Sequence, residues 1–155
     1  MTTMLEYLSN KASPAQIAEH LSQCDAHFVP PLSARVNIED YARKIARHAT
    51  TFEAWSDGNL IGLVAAYCND RGTRIAYLTN MSVSPDWRGR GVAGCLLSQC
   101  FHHAAAAGMR QVRLEVAKGS APAIKLYKRC GFIARNADEP IVDMALDLKG
   151  GEANE

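Results

Sequence analysis

Three strand-like runs stand together in the middle of this chain, and a glycine-rich turn follows them at once. "TFEAWSDGNLIGLVAAYCND" (51–70) carries Asp57-Gly58, a two-residue hairpin signal, between two apolar runs. "TRIAYLTNMSVS" (73–84) comes after Arg71-Gly72 and extends the meander until Pro85 stops it. "DWRGRGVAG" then opens an apolar stretch that predicts a long helix from about Gly91 to Ala107, with Gly108 just past its end. That helix is apolar on nearly every face, so burial is expected, with Cys95 and Cys100 as packing residues. An antiparallel meander that runs into a glycine turn and a helix leaves few folds open.

The flanks complete the pattern. Ser13, Pro14 and Gln16 form a helix start with a capping box, and Ile17, Leu21, Cys24 and Phe28 recur at helical spacing. "VPPLS" (29–33) ends that helix, and a second one is expected after Asn37 to about Ala49. "RQVRLEVA" reads as a strand, "SAPAIKLYKRC" as a short helix ended by Gly131, and "PIVDMALDL" as a last strand. The order is strand, two helices, three antiparallel strands, helix, strand, helix, then one or two strands. This predicts a single mixed α/β (α+β) domain over 1–149, with a loose polar tail at 150–155.

Composition removes several classes of function. A net charge of +1 lacks the basic excess with which proteins meet nucleic acid. No apolar run approaches 18 residues, and the first ten residues lack a signal-peptide pattern, so neither membrane insertion nor secretion is expected. Five cysteines without a C-x-x-C pair are expected to be reduced thiols in a cytoplasmic protein.

The turn at 88–94 is the most informative stretch. Gly89, Gly91 and Gly94 match the glycine spacing of dinucleotide-binding folds, but that fingerprint belongs after the first strand of alternating βαβ units. Here it follows a three-strand meander with too little chain left for a doubly wound sheet. Arg88 and Arg90 stand where a helix N-terminus already carries about half a positive charge. An anion on the free amides would offset that repulsion, and glycines let it approach closely.

The sequence "V-x-P-x-x-R-G-x-G-x-A" resembles the pyrophosphate-binding motif of the GNAT acetyltransferases, falling on Arg88, Gly91 and Ala93. "LEVAKGSAPAIKLYKRCGF" resembles the second motif of that superfamily, and residues 60–133 carry the likeness, which is strongest to the ribosomal-protein N-terminal alanine acetyltransferases. The resemblance implies a GNAT-type fold: a mostly antiparallel mixed sheet with splayed central parallel strands and about four helices. It implies acetyl-coenzyme A as co-substrate, bound by Arg88, Gly89, Arg90, Gly91, Val92, Ala93 and Gly94, with Met81 and Val83 pairing with the pantetheine and Ser120 and Ala123 beside it. Ser120 stands where the family usually has asparagine; it should cap the short helix equally well.

By the same resemblance an amine attacks the thioester directly, with Glu115 as general base, Tyr127 as general acid, and no cysteine nucleophile. A terminal amine is about 10–17% neutral at pH 7 and a lysine only about 0.04%, so the need for a base depends on the acceptor. Phe28, Tyr77 and Asn80 are the acceptor-side candidates. The connector "HFVPPLSARV" (27–36) adds an apolar wall with His27 and Arg35 at its edge. It suits a peptide N-terminus or a small amine such as an amino sugar. Packing is the other reading of Tyr127, and pairing with Arg113 or a lysine the other reading of Glu115. His20, Cys24 and His27 share a helix without a fourth ligand, so no metal is expected. A monomer or homodimer is expected. A non-catalytic acetyl-coenzyme A-binding sensor or partner subunit is the alternative function.

Overall fold

The structure, a computed structural model, describes residues 5–148, so the tail expected at 150–155 lies outside the described residues. Glu6–Ser9 (β1) leads into Pro14–Cys24 (α1). The capping box forms: the Ser13 hydroxyl accepts from the Gln16 N–H at 3.1 Å, and the Gln16 side chain accepts from the Ser13 N–H at 2.9 Å. Asn37 caps Ile38–His48 (α2) through the Asp40 N–H at 2.9 Å. Thr50–Ser56 (β2), Asn59–Tyr67 (β3) and Ile75–Val83 (β4) form the meander. Asp57 and Gly58 turn the first hairpin with φ of 50° and 78°, the left-handed pair that a two-residue turn needs. Val92–Ala106 (α3), Gln111–Ala117 (β5), Ala121–Arg129 (α4), Ile133–Ala134 (β6) and Ile141–Asp147 (β7) follow.

The seven strands form one sheet in the order β1-β2-β3-β4-β5-β7-β6. Every pairing is antiparallel except β4 with β5, which run parallel. That parallel ladder joins only Ile75, Ala76 and Tyr77 to Gln111, Val112 and Arg113. Beyond it β4 continues to Val83 along β3, and β5 continues to Ala117 along β7. The expected splay is present.

A bulge reorients β4 inside the splay. Leu78 pairs with Ala66 and Asn80 with Ala65, so Thr79 is an extra residue opposite no partner. Ala76 and Leu78 face the core beneath α3, whereas Asn80 and Ser82 face the α1 side; Met81 and Val83 return to the α3 side. The Tyr41 hydroxyl on α2 donates to the Thr79 carbonyl at 2.7 Å and lies 2.8 Å from its hydroxyl. This helix-to-strand bond satisfies the group the bulge releases.

Two apolar cores flank the sheet. Phe52, Val64, Leu96, Leu97, Leu114 and Met144 belong to the one under α3 and α4; Ile17, Leu21, Leu32, Ile45, Trp55 and Leu63 belong to the one under α1 and α2. Glu53 is fully buried and bound by four donors: the Lys11 and Ala12 N–H groups at 3.1 Å, the Trp55 indole at 3.0 Å and the Thr51 hydroxyl. It ties the approach to α1 onto β2.

The structure corrects the expectation for the long helix. Only Val92, Leu96, Leu97, Cys100 and Ala104 are buried, while Ser98, His102 and His103 face solvent and Cys95 is half-buried. α3 lies on one face of the sheet, and its alanines make the outer side look apolar without being large enough to require cover.

Gly62 on β3 sets how closely α3 approaches. A Cβ there would stand 2.9 Å from Val92 Cγ1, 3.2 Å from Leu96 Cδ1 and 3.3 Å from Ala54 Cβ. Gly62→Ala should destabilise the fold by about 1–3 kcal/mol, read as a lower urea midpoint with an unchanged slope. The same substitution at Gly94, where nothing lies within 4 Å, should not destabilise the protein.

Candidate active site

The parted strands open into a cleft of about 930 Å³, at the upper end of the range for small-molecule sites. One end is the turn before α3. Gly91 is the N-cap of that helix at φ 80°, no side chain caps the end, and no acidic residue lies in the first turn. Free amides and the helix dipole therefore meet the cleft without compensation. Gly89 also has a positive φ, of 74°. Around Gly89, Gly91 and Gly94 nothing among the described residues, chain neighbours aside, lies within 4 Å of where a Cβ would be. A glycine inside a helix costs about 1 kcal/mol relative to alanine, and packing gives no reason for Gly94. The open space fits a ligand phosphate at the helix start.

Arg88, Gly89, Gly91, Val92, Ala93, Gly94, Met81, Val83, Ser120 and Ala123 all line the cleft. Arg88 is anchored by its Nε donating to the Val83 carbonyl at 3.0 Å, which ties the turn to the end of β4. Arg90 is the exception. It does not line the cleft; its guanidinium lies over the Trp87 ring, 4.8 Å from the centroid. Trp87, which sequence reasoning passed over, lines the cleft, and this cation–π contact holds it.

Ser120 is also not used as expected. It is the N-cap residue of α4, but its hydroxyl makes no capping bond. Its ψ of 60° departs from the extended backbone of a working cap. Pro122 in the first turn removes one of the N–H groups that would otherwise need a partner.

Tyr127 is 5% exposed, lines the cleft, and packs edge-on against Phe132 with ring centroids 5.6 Å apart. Burial, with a smaller contribution from Cys130, holds its phenol well above the usual value of 10.0. The hydroxyl therefore keeps its proton at neutral pH. Glu115 lines the cleft from the exposed side of β5, where Asp143 of β7 is its register partner. Its nearest hydrogen-bonding neighbour is the Tyr77 hydroxyl, which donates at 3.5 Å; Arg113 instead donates to Gln111 at 2.7 Å. Burial first and the Glu115 charge second push the Tyr77 phenol up to about 12. Phe28 and Asn80 line the same cleft with His27, Leu32, Arg35 and Tyr41. The connector wall is held by Asp25, whose carboxylate accepts from the Ser33 N–H at 2.7 Å and its hydroxyl at 2.6 Å.

His20 does not turn toward His27. It is 1% exposed, and its Nε2 lies 2.9 Å from the Ser82 hydroxyl, which donates to Asn80 Oδ1 at 2.9 Å. Cys24 lines the cleft with its thiol pushed up to about 11, mainly by burial, so it stays protonated.

A splayed mixed sheet with an uncapped glycine turn at the mouth of the splay makes a site for an extended ligand with an anionic end, and sequence comparison gives the family. Residues 15–132 match the model of the Acetyltransferase (GNAT) family, and the chain belongs to that family. An uncharacterized N-acetyltransferase of Methanocaldococcus jannaschii is 35% identical over 80 residues, covering 49% of this chain and 35% of that protein. A streptothricin acetyltransferase of Streptomyces lavendulae is 33% identical over 95 residues, 61% of this chain and 50% of the relative. The chain thus spans about a third to a half of the length of these two curated relatives. In fold it resembles the ribosomal-protein-S18-alanine N-acetyltransferase of Escherichia coli, with a TM-score of 0.70 at 20% identity over 95% of this chain and 94% of the other.

Burial pulls the His20 imidazole from 6.5 down to about 4, against weak opposition from the Ser82 and Leu60 carbonyls. As pH falls through about 6.5 the unfolded chain takes up a proton that the folded chain resists until about 4, so stability is lost across that window. His20→Gln does not titrate. Between pH 7 and 5 the native protein should lose roughly 4–8 °C more in melting temperature than this variant, measured by thermal scans in matched buffers.

Proposed function

We propose that the protein is an N-acetyltransferase that moves the acetyl group of acetyl-coenzyme A to a primary amine by direct attack. The observation that carries this reading is a single cleft that joins an anion-binding helix start to a protonated phenol and a carboxylate. The turn from Arg88 to Gly94 holds the pyrophosphate. The free edge of β4 at Met81 and Val83 is available to pantetheine amides, with Ala123 and Ser120 on the α4 side.

The amine lone pair attacks the thioester carbonyl carbon, and the C–N bond forms as the C–S bond breaks. Glu115 takes the proton from the attacking nitrogen. Tyr127, protonated at neutral pH, gives its proton to the leaving thiolate; burial disfavours the phenolate this leaves, so the phenol is promptly re-protonated. Cys24 and Cys100 do not act as nucleophiles, because burial holds their thiols at about 11 and about 12.

The acceptor is a small amine or a peptide N-terminus, held between the connector wall at Phe28 and the β4 residues Tyr77 and Asn80. A streptothricin acetyltransferase among the relatives supports the first class. The apolar wall of Phe28 and Leu32 suits the second equally. Five free cysteines support a reducing compartment such as the cytoplasm.

The deciding experiment is thiol release from acetyl-coenzyme A with short peptides, amino sugars and polyamines. Binding of acetyl-coenzyme A without thiol release on any acceptor would make the protein a sensor instead. Tyr127→Phe should lower kcat about a hundredfold with little change in acetyl-coenzyme A affinity by calorimetry. Glu115→Gln should cost most below pH 7, where less of the amine is neutral, in a kcat/KM profile; an equal loss at every pH would make its role structural.

A further inference from the structure

One buried imidazole is left over from this account. His20 sits under β4 on α1, and 62 residues separate it from the serine it bonds. Its Nε2 lies 2.9 Å from the Ser82 hydroxyl and 3.8 Å from the Cys24 thiol, whereas its buried Nδ1 makes no hydrogen bond among the described residues. The ring stays neutral across the physiological range, so one nitrogen carries hydrogen and the other a lone pair. The two tautomers have different costs here. Hydrogen on Nδ1 would bury an N–H donor that makes no well-aligned hydrogen bond among the described residues, the Ser82 and Leu60 carbonyls being only weak neighbours of the ring, and folded proteins almost never leave such a donor orphaned. Hydrogen on Nε2 leaves only an unused lone pair at Nδ1. The second arrangement is the cheaper one.

The choice of tautomer propagates. With Nε2–H donating, the Ser82 oxygen accepts, and the single Ser82 proton is free to go to Asn80 Oδ1 at 2.9 Å. The Asn80 carbonyl oxygen is then occupied by Ser82, which leaves the –NH₂ of this cleft-lining residue as the group free for a ligand, with the Tyr41 hydroxyl as its protein neighbour. The other tautomer reverses every bond: Ser82 would donate to His20, Asn80 would donate to Ser82, and the cleft would face a carbonyl oxygen. Asn80 is only 5% exposed and stands beside Thr79, the bulged residue held by Tyr41. Its orientation is thus built into the wall.

We infer that His20, acting through Ser82, is a positioning residue that fixes Asn80 as a hydrogen-bond donor, so that the preferred acceptor carries a carbonyl or carboxylate oxygen close to its amine. This inference rests on the N-acetyltransferase reading for its substrate half; the polarity of the chain stands by itself. An amino-acid amide or a peptide N-terminus has such an oxygen on the carbon next to the amine. An alkylamine has none, and a donor aimed at it loses a partner.

Two measurements test it. The ¹⁵N shifts of the His20 ring in the labelled protein at pH 7 should show Nε2 protonated and Nδ1 bare; a protonated Nδ1 overturns the inference. Separately, kcat/KM for glycinamide over that for propylamine is compared in the native protein, Ser82→Ala, His20→Leu and His20→Gln. Amine basicity is the same for every protein, so a change in the ratio reports the protein's own contacts. Ser82→Ala and His20→Leu should lower the ratio about tenfold, with His20→Gln, which keeps an N–H, within about threefold of native. The KM for acetyl-coenzyme A should not move in any of them. An unchanged ratio in Ser82→Ala overturns the inference even if His20→Leu does not fold. If the native protein acetylates neither amine at any concentration, the substrate half is overturned with the catalytic reading, and the tautomer alone decides the polarity.

Discussion

Three residue pairs of parallel ladder join the backbones of β4 and β5, and the site exists because the ladder stops there. Past Tyr77 and Arg113 each strand keeps its antiparallel partner on the outer side, so the sheet remains whole while its middle opens. A cleft made this way has backbone along one wall. It also has the start of α3 at its mouth, since α3 begins a few residues after β4 ends. Arg88 reinforces the arrangement by donating to Val83. The glycine turn and the free strand edge are therefore held in register with each other, as binding of one extended ligand across both requires.

The bulge at Thr79 does on a smaller scale what the splay does for the sheet. A regular strand would present Leu78 and Asn80 to the same face, and one of them would suffer for it. The extra residue lets β4 bury Leu78 under α3 and still turn Asn80 and Ser82 toward α1. Tyr41 stabilises the distortion from α2. The carbonyl that the bulge takes out of the ladder is held by Tyr41, itself part of the cleft lining.

Local chemistry in the sequence was a good guide to the fold. Ser13 with Gln16, Asn37, Asp57-Gly58 and Gly91 act within a few residues of themselves, and each ended or turned an element where its chemistry said it should. Most of the cleft lining was legible for the same reason, because the glycine turn and the motif around Tyr127 are contiguous. What escaped depends on tertiary neighbours. Whether Thr79 is a bulge is decided by β3, and whether His20 is a ligand or a core histidine is decided by Ser82. Arg90 looked like an anion contact from its position but spends its charge on Trp87. Ser120 looked like a cap, yet its backbone angle and Pro122 removed both the geometry and part of the need.

The two cores on opposite faces of the sheet have separate memberships. The one beneath α3 and α4 carries the glycine-turn end of the cleft, and the one beneath α1 and α2 carries the connector from Cys24 to Tyr41. Substitutions at distant sites without shared partners combine nearly additively. Substitutions confined to one core therefore disturb the packing of the other little. The two faces of the sheet are, in this molecule, free to diverge separately.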